Sequence, residues 1–186
     1  MRAILGTFLL ALAVAAGPLL ADEYDDTIKL FKDAGQSSAF FKDSYGYAVF
    51  PSIGKGGLGV GAAHGSGRVY EQGKRVGDTS MTQLSVGFQA GGQAYSQIIF
   101  FKDKRAIDEF KSGNFEFDAG VSAVAITAAA GASVGTTGTQ GGASGGKNDA
   151  ATAGGYHKGM AVFTIVKGGA MYEAALAGQK YKYKSL

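Results

Sequence analysis

Gly57, Gly59 and Gly61 alternate with Leu58, Val60 and Ala62, and no other feature of this sequence restricts the fold as much. Alternation at a period of two belongs to a β-strand, whose successive side chains leave opposite faces, so one face of this strand carries no side chain. Glycine weakens a strand unless a bend, another backbone or a ligand must come close there. Two readings follow: a barrel corner or crowded strand crossing, or the floor of a groove for an acyl chain.

The rest of the chain supplies strands and a few helices. Residues 82–90 alternate, with Leu84, Val86, Phe88 and Ala90 opposed to Gln83, Ser85, Gly87 and Gln89, and residues 115–125 do the same. Both patterns predict half-buried strands. Residues 47–50, 98–101 and 160–166 are continuous apolar runs, as expected of strands buried on both faces. Gly65-Ser66-Gly67 and Gln72-Gly73-Lys74 have the composition of hairpin loops. Helical spacing occurs over residues 22–45, through Tyr24, Ile28 and Phe31, and after Gly35 through Phe40 and Phe41, with Ser37 or Ser38 as the cap of a second short helix. A further helix is predicted over residues 103–111, with Ala106, Ile107 and Phe110 on its packed side. The fold class is α+β and β-rich: an antiparallel, partly closed, barrel-like sheet with an N-terminal helix and one packing helix.

Residues 1–21 have the form of a secretory signal peptide, with Arg2, an apolar run from Ile4 to Ala16 and small Ala21 before Asp22-Glu23. Cleavage after Ala21 or after Ala16 leaves a single domain, residues 22–186 in the first case, in which residues 131–155 form a flexible loop of Gly, Ala, Ser and Thr. The expected location is outside the cytoplasm, in the periplasm or cell envelope. The chain contains no cysteine, so no disulfide contributes to its stability. Arg2 is the only charge in the first 21 residues, which leaves 17 basic and 15 acidic residues, a net charge of +2. That excess is too small for a nucleic-acid binder.

Motifs for catalysis are weak. Gly131-Ala132-Ser133-Val134-Gly135 and Gly142-Ala143-Ser144-Gly145-Gly146 fit the spacing of a nucleophile elbow, but such an elbow joins a buried strand to a helix, and both lie in the low-complexity stretch. Residues 141–148 come close to a phosphate-binding loop but place Asn148 where a hydroxyl must reach magnesium. His64 and His157 are the only histidines and lack metal-ligand spacing to a carboxylate. No enzyme activity, cofactor or metal is expected.

The stretch from Tyr45 to Gly61, a small-apolar strand ending in Phe50-Pro51 followed by Lys55 and alternating glycines, resembles the opening signature of the SYLF domain family. The resemblance continues through Gly65-Ser66-Gly67, the segment from Ser85 to Gln93, the strand Ile98-Ile99-Phe100-Phe101, the segment from Phe115 to Val121, Gly168-Gly169-Ala170-Met171 and Leu176-Ala177-Gly178. It implies phospholipid binding, with phosphoinositides the ligands of eukaryotic members and actin binding in some fungal ones. It also implies an exported, single-domain bacterial relative, and a membrane contact made by an amphipathic N-terminal helix and basic residues. Residues 22–42 occupy that helix position here and begin strongly acidic.

The residues expected to meet lipid are Lys55, within the family motif, the bare strand Gly57, Gly59 and Gly61, His64 at its end, and the basic Arg68, Lys102 and Arg105. A lysine or arginine at an anionic bilayer contributes about 1 kcal/mol, so several on one face suffice to hold a protein there. Residues 180–184 place lysines on one strand face and tyrosines on the other. This suits either a membrane interface or a protected edge strand. The expected function is non-catalytic binding of phospholipid or an anionic membrane surface. A small outer-membrane β-barrel and an envelope scaffold that binds another protein are the alternatives.

Overall fold

The computed structural model describes residues 19–113, 115–117, 123–126, 155–169, 176 and 178–186. The residues 1–18 of the expected signal peptide and most of the expected loop at residues 131–155 lie outside them.

Two long strands make the frame. β1 (Gly46–Glu71) and β2 (Lys74–Phe101) pair antiparallel along their length. Gln72 and Gly73 join them with φ values of 49° and 80°, the two left-handed positions of a tight hairpin turn. β6 (Gln179–Ser185) pairs with β2 from Gly77 to Gln83, and β5 (Met160–Gly169) pairs with it from Gln93 to Phe101. β3 (Phe115–Glu116) extends the sheet beside β6. β4 (Val124–Ile126) closes the other end, parallel to β5, and is the one parallel pairing among the described residues of an otherwise antiparallel half-barrel.

β1 also doubles back along itself. The Tyr45 carbonyl accepts a hydrogen bond from Gln72 N–H at 3.0 Å. A Cβ on Gly67 would lie 2.7 Å from the Phe50 ring, and one on Gly65 2.5 Å from the Ile53 side chain. The reversal falls at Gly57, whose φ is +156° and whose Cβ would strike the Val60 carbonyl and come within 2.6 Å of Gly61 Cα. A pairing irregularity between Leu58 and Val60 marks the same place. Gly65-Ser66-Gly67, expected as a loop, is instead inside β1, where those glycines make room for the side chains of its first half.

Three helices precede the sheet: α1 (Leu19–Asp33), α2 (Gly35–Ser38) and α3 (Phe40–Asp43). α1 begins within the expected signal peptide, and cleavage after Ala21 would remove its first residues. Neither serine caps α2. Ala34 is the N-cap and makes no side-chain bond, while Ser37 lies inside the helix and donates its hydroxyl to the Phe31 carbonyl at 2.6 Å. α4 (Lys104–Lys111) is capped by Asp103, which accepts from Ala106 N–H at 2.9 Å, and it buries Ala106, Ile107 and Phe110 as its spacing predicts.

Burial on both sides of the sheet follows the continuous apolar runs. Ala48, Phe50, Ile99, Phe101, Met160 and Val162 face the inner core with α4, whereas Val49, Ile98, Phe100, Ala161 and Phe163 face outward beneath Ile28 and Phe31 of α1 and Phe40 and Phe41 of α3. At Gln83 and Leu84 the strand departs from expectation. A half-buried strand usually turns its apolar side inward, yet Gln83 is buried and Leu84 is 77% exposed. Here the polar side chain is inward and the apolar one outward, next to inward Met81, and the side chains of residues 85–90 lie outside the described ones.

Candidate functional site

Helices cover only part of the outer sheet face. Where β1 and β2 pair in register with β6, the outward side chains form rows across three strands. Ser66, Ser80 and Lys182 make one row, His64, Thr82 and Lys180 the next, and Arg68, Asp78 and Lys184 the row on the other side. Ala62 faces Leu84 one row further along, and Val60 lies beyond, 61% exposed.

The three lysines are exposed and stand two residues apart along β6, about 7 Å for an extended strand. Their direction is fixed by the tyrosines between them. Tyr181 is fully buried against Phe50, Phe110 and Phe117, and Tyr183 donates its hydroxyl to the Val76 carbonyl at 3.0 Å while its ring covers Gly77. With tyrosines held inward, the lysines point out. Lys180 lies 3.6 Å from Glu116, an exposed pair, and Asp78 is taken by Arg75 at 2.6 Å.

The other expected lipid contacts fall in different places. Gly57 and Gly61 shape the corner where β1 reverses, and Gly59 lies on that corner. At Gly57 the bare side is met by the strand's own backbone, the Val60 carbonyl and Gly61 Cα, which is the corner reading for that glycine. Lys55 is opposite Gln93, on the same side of β1 as buried Ile53, and is half-buried without an ion-pair or hydrogen-bond partner among the described residues. His64 and Arg68 share the outward face with the lysine row. Arg68 stacks its guanidinium 3.9 Å from the Tyr24 ring centre of α1, at the border of the covered area. Lys102 and Arg105 are at the far end of β2. The Lys102 ammonium lies 6.0 Å from the Tyr156 ring, and Arg105 is engaged by Glu109 at 3.2 Å and the Lys158 carbonyl at 3.1 Å. One surface therefore gathers two of the eight expected residues together with three lysines of the tail.

A second feature is internal. Gln97 donates from Nε2 to the Tyr181 hydroxyl at 2.7 Å and to Gln179 Oε1 at 3.2 Å, Tyr181 donates to the same Gln179 oxygen, and Gln179 donates to the Tyr95 hydroxyl at 3.4 Å. All four residues are buried, as are Gln83, Gln93 and Thr164. Burial pushes the Tyr95 hydroxyl up to about 12 and the Tyr181 hydroxyl well above its ordinary value. Gln93 Oε1, Gln97 Oε1 and Thr164 Oγ1 have no hydrogen-bond partner among the described residues. The sequence carried a sign of this interior in Gln83 beside Leu84, but alternation does not say which side faces in.

Among the described residues no group of three His, Asp or Glu side chains could hold a metal ion, and no helix is long and apolar enough to cross a membrane. The two nucleophile-elbow look-alikes and the phosphate-loop look-alike lie outside the described residues.

Comparison with known proteins adds a family. Residues 82–184 match the family model Ysc84, described as Las17-binding protein actin regulator. A relative from Aeromonas veronii, beta cell expansion factor A, is 31% identical over 156 residues, which is 83% of this chain and 51% of the relative. The chain thus spans about half the length of that curated relative.

Proposed function

Because the chain belongs to the SYLF domain family, we propose that it binds the surface of a phospholipid membrane, catalyses no reaction, and works as an exported protein in the periplasm or cell envelope. The observation that carries this reading is the pair of exposed apolar side chains near the β1 corner. Val60 is 61% and Leu84 77% exposed, on the same outward face, with Ala62 directly opposite Leu84. Grouped apolar side chains left in water mark contact surfaces for protein or membrane, and each fully buried leucine or valine contributes about 1.5–3 kcal/mol. Lys55, two residues before the corner at Gly57, lies on the inner side with Ile53 and Gln93 and is not part of this outward contact.

Co-sedimentation with vesicles tests the reading. The purified chain should pellet with vesicles of phosphatidylethanolamine and phosphatidylglycerol, and Val60→Ser with Leu84→Ser should lower the bound fraction at least tenfold, since each serine forgoes about 1 kcal/mol or more of apolar transfer. Failure of the folded wild type to bind any phospholipid composition would sink the reading.

A further inference from the structure

We infer that the half-barrel lies on an anionic bilayer with its uncovered outer face down, held by the lysine row of β6. This deepens the membrane-binding reading and rests on it, because it names the face that docks and the lipid charge that face selects.

Three observations converge. Lys180, Lys182 and Lys184 are exposed and share rows, by register, with Ser80, Thr82, His64 and Ser66, so the cations stand on the polar outer face of the half-barrel, Lys182 and Lys184 without an ion-pair partner among the described residues and Lys180 beside exposed Glu116 at 3.6 Å. The row continues into exposed Leu84 and Val60, which puts apolar side chains at the end of the same face. The opposite arrangement holds at α1 to α3. There Ile28 and Phe31 are spent on packing against the sheet, and the exposed charges Glu23, Asp25, Asp26, Asp33 and Asp43 outnumber Lys29, Lys32 and Lys42. A helix whose apolar side is already covered and whose outer side is acidic cannot insert into an anionic surface without giving up core contacts and bringing like charges together. The β6 face needs no rearrangement. An anionic surface matches cations spaced about 7 Å apart, and each contributes about fivefold to partitioning, somewhat less for Lys180 beside Glu116.

The experiment compares matched charge removal from the two faces. Vesicles of phosphatidylcholine alone and of phosphatidylcholine with phosphatidylglycerol are mixed with wild type, with K180Q/K182Q/K184Q, with K180R/K182R/K184R, and with K29Q/K32Q/K42Q. All substituted side chains are exposed, and thermal unfolding confirms that each variant is folded. The expected result is binding that requires phosphatidylglycerol and weakens with added salt, a loss of about 30- to 100-fold in the β6 glutamine variant, retention in the arginine variant, and a change under threefold in the helix variant. The inference is overturned if the β6 glutamine variant binds as well as wild type, if the helix variant loses as much, or if wild type binds both vesicle types equally. It is likewise overturned if the lysine row retains soluble polyglutamate but no vesicle, which would assign the face to an acidic protein. Equal binding to both vesicle types leaves the broader membrane reading intact, whereas no binding to any vesicle ends both.

Discussion

The outer face of the sheet is finished in two different ways along the same strands. Under α1 to α3 the outward side chains of β1, β2 and β5 are Val49, Ile98, Phe100, Ala161, Phe163 and Ile165, all buried. Past the helices, the outward side chains of β1, β2 and β6 are Ser, Thr, His and Lys with Arg68 and Asp78 at the border, ending in Ala62 and exposed Leu84 and Val60. Both halves are built of the same paired strands, with irregularities in pairing between Phe50 and Ile53 and between Leu58 and Val60, and their outward residues differ. The contrast shows that helix coverage is encoded in the strands, and that polar outward positions mark the half left for another partner.

Stability should separate the halves most. Phe100 packs among Phe40, Phe41 and Phe163, with ring centres 4.8 to 5.9 Å apart, so Phe100→Ala should cost about 3–5 kcal/mol through lost burial and the cavity left behind. Leu84→Ala in the uncovered half should change stability by no more than about 0.5 kcal/mol. Urea denaturation midpoints of the two variants check this, and similar losses would mean that Leu84 is packed in solution.

Alkaline titration gives a finer comparison. Burial pushes the hydroxyls of Tyr47 and Tyr156 up to about 12, and both pack in the covered cluster. A raised folded-state value favours the protonated phenol in the native chain. Its contribution is complete below the unfolded value of about 10 and is lost as pH rises toward 12, where the unfolded chain binds fewer protons than the folded one. Urea midpoints should therefore fall between about pH 10 and 12. Tyr47→Phe should make that fall shallower, whereas Leu84→Ala should leave its slope unchanged.

How much of this was legible in the sequence depended on whether a pattern specified a side as well as a period. The runs at residues 47–50, 98–101 and 160–166 need no choice of side, and they are the doubly buried strands. α4 announced itself through Ala106, Ile107 and Phe110 because a helix with one apolar stripe has one way to pack. The alternation at residues 82–90 gave the strand but not the facing of Gln83 and Leu84: a sheet curved into a half-barrel encloses polar side chains when they can bond one another, as Gln97, Gln179, Tyr95 and Tyr181 do. The glycines at 57–61 left a bend and a groove both open, and only the tertiary path of β1 puts the Val60 carbonyl against Gly57. The tail's alternation was visible, but which side faces in was not, because Tyr181 and Tyr183 are held inward by Phe50, Phe110 and the Val76 carbonyl, residues far away in sequence.

Arg68 tests the border between the halves and should have the smallest effect. Its guanidinium lies 3.9 Å from the ring centre of Tyr24, a cation–π contact that at a partly exposed site contributes about 0.5–1 kcal/mol. Arg68→Ala should lower the urea midpoint by that amount and let the first turns of α1 exchange amide hydrogens faster, while Phe31, fully buried further along the helix, keeps its neighbours protected. Burial raises the Tyr24 hydroxyl above its ordinary value and Arg68 opposes that rise, so the substitution should also move the Tyr24 titration upward. Tyr24 titrating as before, with α1 exchange unchanged, would show that the sheet's apolar half alone holds the helix and that Arg68 belongs with the lysine row. A shift in both would make it the hinge pin between the covered half and the uncovered one.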